Sequence, residues 1–374
     1  LAWVSIVGSL AACSTVRLQM PPSTPGSVPS APSSSAPAVT PPAQPPAMPR
    51  SRWVAVGWSE LPGWGQDALN DFWPALVRNC QKPKPVWGRP CNEIRELAQS
   101  DAVQRVAWME RRLQPYRVES QEGRAQCLLT AYFEPELEAS RSRRPGFEVP
   151  LYSAPPEALV ENAGRPWYTR REIESLPQAQ AALRGREIAY LRDPVDAMIL
   201  HIQGSGRLRI QENDGQTRWV RLGFAATNQH PYQSIGRWLL DRQLTRDATW
   251  PGIKAWLAAN PQRRQELMWA NPRYVFFREE PLKDLSMGPL GAQGLPLTAG
   301  RSIAVDPQSL PYGTPLWLAS EGALPLRKLV LAQDTGNAIV GAVRADYFVG
   351  SGEAAGEIAG RVRQELRLWA LWPR

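Results

Sequence analysis

A chain of 374 residues, 43% of them hydrophobic, is long enough for about two domains with sizeable cores. It has two histidines, four cysteines with no Cys-x-x-Cys pair, and no glycine-rich phosphate loop with its lysine. That argues against a histidine-rich metal site, zinc and a P-loop nucleotide site. The net charge of +8 suits an anionic polymer as partner without identifying one.

The first stretch, LAWVSIVGSLAACSTV, is uncharged and apolar up to Leu10-Ala11-Ala12-Cys13. It is too short to span a bilayer and suits the apolar region of a signal peptide. Leu-Ala-Ala-Cys resembles the lipobox of bacterial lipoproteins. The resemblance implies a signal peptide over 1–13, acylation of Cys13 and a stable lipid anchor. Ser14 at the next position implies the outer membrane. Residues 14–50 are rich in Pro, Ser and Ala, with almost no large apolar side chain. Such a segment buries too little to offset its ordering entropy and reads as an extended tether. The folded body is expected from near Trp53. Of its cysteines, Cys80 and Cys91 would close the shortest disulfide loop; three thiols, Cys127 included, is the equal alternative.

Leu69, Phe72, Trp73, Leu76, Val77 and Cys80 fall at helical spacing. So do Ile94, Leu97, Val103, Val106 and Leu113, with Pro115 as the stop. Short runs split by Gly, Pro, Asn and Asp then predict strands: CLLTAYFEPELEAS, FEVPLYSAPP, DAMILHIQGSGRLRI and TRWVRLGFA. Helices interrupt at REIESLPQAQAALRG, SIGRWLLDRQ and WPGIKAWLAANPQRRQELMWA. Strands return at RYVFFRE, SIAVDPQ, TPLWLAS, RKLVLAQD and GAVRADYFVG. Ile358, Val362, Leu366 and Trp369 predict a closing amphipathic helix.

Three aspartates stand out in the last strands. In GAVRADYFVG, Arg344, Asp346 and Phe348 share one face, opposite Val343, Ala345, Tyr347 and Val349. Asp334 and Asp306 each end a strand. Capping a turn is the ordinary role of an aspartate so placed. If the three converge, burial and mutual repulsion raise one pKa toward that of a general acid. Arg344 on the same face works against that rise, and the residues alone leave the balance open.

AVDPQSLPYGTPLWL and LVLAQDTGNAIVGAVRADYF resemble the three-aspartate (3D) domain of bacterial cell-wall enzymes. With LTAYFEPELEASRSR, YLRDPVDAMILHIQGSGRLRI, GFAATNQHPYQSIGR and NPRYVFFRE, the chain from Trp53 onward resembles the membrane-bound lytic murein transglycosylase A (MltA) family. The resemblance implies a mainly β fold with flanking helices. A double-psi β-barrel domain (50–133 and 271–374) would carry a smaller inserted β-domain (134–270), with a groove between them. It implies cleavage of the β-1,4 bond from N-acetylmuramic acid to N-acetylglucosamine, leaving 1,6-anhydro ends, with no metal or cofactor. Asp346 would be the catalytic acid and base, Asp334 its stabilising neighbour, and Asp306 structural. Gln203 and Ser205 would donate to sugar, with Gly204 and Gly206 permitting close approach, and Thr130 and Tyr132 would line the groove. Asn228 and Tyr232 are weaker candidates. On the residues alone, HIQGSG is equally a tight turn and Tyr132 nearly as readily a core residue. The implied partners are peptidoglycan strands, the outer membrane through the anchor, and cell-wall synthesis proteins, with no nucleic acid. Two alternatives remain: an inverting glycoside hydrolase, with Asp334 activating water, and a non-catalytic wall-binding lipoprotein.

Overall fold

The computed structural model describes residues 44–159, 166–282 and 284–374. The lipobox at Cys13 and most of the tether lie outside the described residues. The folded body opens with β1 (Arg52–Ala55), followed by three helices: α1 (Phe72–Asn79), α2 (Gly88–Glu96) and α3 (Ala102–Arg112). One long second helix was expected, but the chain breaks at Ser100. Asp101 caps α3 by accepting from the Gln104 N–H, and the caps make two helices cheaper than one. Pro115 is not the stop. It lies inside β2 (Leu113–Glu119), opposite Leu371. Cys80, just after α1, is disulfide-bonded to Cys91 in α2.

The remaining strands are β3 (Cys127–Glu134), β4 (Glu136–Ser140), β5 (Val149–Tyr152), β6 (Glu187–Leu191), β7 (Gly206–Gln211), β8 (Thr217–Thr227) and β9 (Val275–Pro281). They continue with β10 (Ser302–Val305), β11 (Pro315–Ser320), β12 (Leu326–Asp334), β13 (Arg344–Ser351) and β14 (Arg363–Pro373). In one sheet β3 pairs with both β13 and β14, so β3, β14, β11, β12, β10 and β13 close on themselves, with β2 and β1 as an outer extension. The barrel interior holds Leu129, Ile303, Val305, Leu316, Leu318, Val330, Ala345, Tyr347, Leu366 and Leu368. On the outside, α1–α3 cover Trp317, Leu329, Leu331, Trp369 and Leu371. The second sheet runs β5-β6-β4-β7-β8-β9.

Two elements differ from the sequence reading. The segment DAMILHIQ is not a strand but the helix Pro194–Gln203. Asp193 caps it, Pro194 occupies its first turn, and Gly204 ends it in the left-handed region at φ 79°. The C-terminus is strand β14 beyond a short helix, Glu353–Ala359. Ile358, expected inside, is 42% exposed. β14 is apolar on both faces because the barrel interior covers one and α1–α3 the other, and two-sided burial mimics helical spacing. In addition, β9 pairs with β8, so the chain leaves the second sheet after Pro281 rather than at the expected 270/271 boundary.

β3 runs through Pro135 directly into β4, so one continuous stretch belongs to both sheets. The carboxylate of Glu134, wholly buried, sits at that crossing. It accepts from Arg207 Nε of β7 at 2.7 Å, Arg221 Nε of β8 at 2.6 Å and Ser351 Oγ of β13 at 2.9 Å. Both arginines also donate to the Met287 carbonyl. Removing one partner of such a buried cluster strands the others' charge. Glu134→Ala should therefore lower stability by about 3–5 kcal/mol in urea unfolding. A loss below about 1 kcal/mol would mean that water replaces the carboxylate at no cost.

Candidate active site

On β3, Thr130, Tyr132 and Glu134 alternate onto the barrel's outer face. β13 lies parallel to β3 and sets Asp346 opposite Thr130 and Phe348 opposite Tyr132. Thr130 Oγ1 donates to Asp346 Oδ1 at 2.5 Å and accepts from Arg344 Nη2 at 2.8 Å. A bulge places Asp334. Ile303 of β10 pairs with Ala332 of β12, but Ala304 pairs with Asp334, so β12 carries one extra residue there. An unbroken ladder would match Gln333 to Ala304 and turn Asp334 toward the barrel interior. The bulge brings it level with Ala304 on the outer face. Ala304 also pairs with Asp346 on its other side. The two aspartates thus flank a single methyl side chain, two strand spacings or ~10 Å apart at Cα.

Asp334 is held on both oxygens. Tyr132 OH donates to Oδ2 at 2.9 Å and the Ala292 N–H to Oδ1 at 3.0 Å. Asp346 receives only the Thr130 hydroxyl among the described residues. Burial raises the pKa of Asp346, against the opposing influence of Arg344 and the Thr130 hydrogen bond. Burial also raises that of Asp334, with a further push from the Asp346 charge. The hydrogen bonds from Tyr132, Ala292 and Thr335 resist it. Tyr132, half-buried beside both carboxylates, is pushed well above the ordinary phenol range by desolvation and by their charge. The sequence left the balance between burial and Arg344 open; here burial outweighs the arginine. Arg344 makes no ion pair with Asp346 but spends its donors on Thr130 and on the carbonyls of Leu128 and Ala345.

Comparison with known proteins gives this arrangement its relatives. Residues 128–278 match the MltA specific insert domain and 301–372 the 3D domain. The lytic transglycosylase LtgG of Burkholderia pseudomallei is 40% identical. The match covers 89% of this chain and 99% of that one, with a TM-score of 0.61. A membrane-bound lytic murein transglycosylase of Agrobacterium tumefaciens is 31% identical over 86% and 98% of the two chains, with a TM-score of 0.71. The chain belongs to the MltA family. Membrane-bound lytic murein transglycosylase A of Vibrio cholerae is 31% identical over 259 residues, 65% of each chain. The closed six-stranded sheet is the double-psi barrel of MltA proteins, and the second sheet its smaller inserted domain.

Within this MltA fold, the residues singled out from sequence fall into three groups. Thr130, Tyr132, Asp334 and Asp346 meet, as described. Asp306 stands apart. Its carboxylate accepts from Arg50 and from the Gln308 and Gly341 N–H groups, the turn-capping pattern. Gln203 ends its helix on β3, where its Oε1 accepts from the Phe133 N–H at 3.1 Å, one residue from Tyr132. Its amide nitrogen and Ser205 make no described hydrogen bond. The flanking glycines have local causes. Gly204 needs its positive φ, and a Cβ at 206 would meet Leu200 Cδ1 at 2.3 Å. Asn228, fully buried, braces the carbonyls of Tyr168 and Pro272 and is structural.

The loop that supplies Ala292, in the stretch GPLGAQGLPLTAG that also resembles the family, was given no site role from sequence. It is braced from α1. Asn79 bridges the Gly313 carbonyl and Gln293 Nε2, and Lys82 Nζ, just beyond, donates to the Gly294 carbonyl. No periodic signal marks such a loop.

The raised pKa has a consequence for stability. A buried carboxyl whose folded pKa lies above its unfolded value favours the fold below about pH 4. That contribution is lost as pH rises through the folded pKa. Asp346→Asn removes the cost of the buried charge. The variant should be more stable than wild type near pH 8, by about 1.4 kcal/mol for each tenfold change in proton affinity, and no more stable near pH 3. Melting curves at the two pH values check this, and equal differences at both would refute it.

Proposed function

We propose that this MltA protein cleaves peptidoglycan between N-acetylmuramic acid and N-acetylglucosamine as a lytic transglycosylase, with Asp346 as its acid and base. One observation supports the choice. Both aspartates are half-buried with raised pKa values, but among the described residues one oxygen of Asp346 has no protein donor, whereas both oxygens of Asp334 are occupied. As acid, Asp346 protonates the leaving glycosidic oxygen, and positive charge develops at the muramoyl C1. As base, it then takes the proton of the muramoyl C6 hydroxyl, whose oxygen attacks C1 and closes the 1,6-anhydro ring. The nucleophile is tethered to the reacting sugar, so no water has to be activated. Asp334 with Tyr132 stabilises the developing charge. Thr130 fixes the Asp346 rotamer, and the free amide of Gln203 and the Ser205 hydroxyl reach for sugar. In the hydrolase alternative Asp334 would serve a water, which means giving up the Tyr132 or Ala292 hydrogen bond.

The relative in Vibrio cholerae is named as membrane-bound. For this chain the reading is attachment through acylated Cys13, in the outer membrane facing the periplasm, with the 14–50 tether setting the reach. Cys13→Ala should release the protein from membranes, checked by flotation, and a variant that still floats rejects the anchor.

Asp346→Asn should lower turnover on purified sacculi by ~10²–10⁴, and Asp334→Asn by less. Wild-type activity should fall as pH rises through the raised pKa of Asp346, because the cycle starts from the acid. Mass analysis of released muropeptides should find anhydro-muramic ends, each one water lighter than a hydrolysis product. Reducing muramic ends would transfer the reading to the hydrolase.

A further inference from the structure

Five strands place one residue each in a single row across the outer barrel face. Asp334 of β12 is level with Ala304 of β10, Ala304 with Asp346 of β13, and Asp346 with Thr130 of β3. Thr130 in turn is level with Arg363 of β14. Directly opposed residues point to the same side with Cβ atoms about 5 Å apart, so Arg363 flanks Thr130 as Asp346 does on its other side. Arg363 is exposed. Its charge is felt by Arg344, the next residue on the Asp346 face of β13.

Among the described residues neither arginine has a carboxylate within ion-pair distance. Other arginines of the two sheets are paired, as at Arg207, Arg221 and Arg301, so what sets Arg363 apart is its place in the row beside Thr130 and Asp346. Glu365, two residues along β14, leaves Arg363 unpaired. The row therefore has a polarity: a carboxylate at the β12 end and, at the β14 end, the guanidinium of Arg363, with no carboxylate at ion-pair distance among the described residues. The guanidinium of Arg344 is fixed by three hydrogen bonds. That of Arg363 reaches into solvent.

We propose that Arg363, backed by Arg344, is the anion-recognition element of this groove and reads a carboxylate carried by the muramoyl side of the substrate. The proposal rests on the glycan-cleaving reading above and adds a selectivity to it. A neutral chitin strand has nothing for a guanidinium to pair with. A muramoyl strand has two candidates: the lactyl carboxylate where the peptide has been removed, and the carboxylates of the stem peptide where it remains. Both present the planar acceptor that arginine binds bidentately.

The test uses the full chain with three ligands: peptide-bearing glycan strands, strands stripped of peptide by an amidase, and a neutral chitin oligomer. Relative to wild type, Arg363→Gln should lower kcat/KM about three- to tenfold on one or both muramoyl strands, mainly through KM. Loss on the peptide-bearing strand alone assigns the stem peptide, and loss on the stripped strand alone assigns the lactyl group. Chitin-oligomer affinity, read by calorimetry, should change less than about twofold. Arg363→Lys should recover only part of the loss, because an ammonium keeps the charge but not the bidentate fork. Arg363→Glu should deepen it, by a factor that shrinks with added salt. Equal losses on all three ligands, or no loss on either muramoyl strand, overturns the proposal. If wild type cleaves neither strand, the transglycosylase reading fails on its own account. Calorimetric binding of the same strands then still decides whether Arg363 selects for a carboxylate.

Discussion

The structure turns on one carboxylate with nowhere to go. Glu134 is fully buried, and its charge is tolerable only because β7, β8 and β13 all bring donors to it. Those donors come from both sheets. The charge therefore fixes the second sheet against the barrel as firmly as any apolar contact, and with a defined direction. β3 cannot shift along its axis without pulling Glu134 off Arg207 and Arg221. The same strand presents Thr130 to Asp346 and Tyr132 to Asp334. One outer face of β3 thus holds the domain junction and both aspartates in a single register, and a slip by one residue would turn all three side chains into the core.

The barrel divides its outer surface between two uses. Over β11, β12 and β14 the helices α1–α3 bury tryptophans and leucines. Over β10, β13 and β3 the same face carries the row of polar groups instead. The two halves are linked by the loop through Ala292. It leaves Asn79 and Lys82 at the end of α1 and delivers a backbone N–H to Asp334. The Cys80–Cys91 bond closes the segment from which Lys82 reaches out. A helical layer whose first task is packing thereby also orients one carboxylate of the site.

Much of this was legible in the chain, and the failures have identifiable causes. Alternation in GAVRADYFVG correctly set Asp346 against the apolar face, because one side of β13 is core and the other groove. Alternation also read correctly in LTAYFEP. It failed where both faces are covered, as in β14, since a strand buried twice shows no period of two. It failed again at DAMILHIQ, where a capped helix lies against sheet and its apolar residues run together. The bulge at Asp334 left no trace at all. Counting by twos from Ala332 would put Asp334 inside the barrel, and only the partner strand reveals the extra residue. The contacts of Glu134, Ala292 and Arg363 depend on residues 40 to more than 200 positions away, beyond the reach of any local pattern.

The remaining question is why two half-buried aspartates so close together should be given such unequal surroundings. Two carboxyls in one low-dielectric site resist ionising together, and their titration belongs to the pair. The partition of the proton is then set by hydrogen bonds. A carboxylate with two donors is the cheaper place for charge; a carboxyl with one donor and a free oxygen is the cheaper place for a proton. Tyr132 and Ala292 make Asp334 the first kind, and Thr130 alone leaves Asp346 the second. Arg344 opposes this by favouring charge on Asp346, but it acts through the Thr130 hydroxyl rather than by contact. Once Asp346 has given up its proton, the same arginine and hydroxyl stabilise the carboxylate left behind. On the mechanism proposed above, an acid that becomes a base within one turnover needs both conditions: burial to hold the proton beforehand, and a nearby cation to bear its loss.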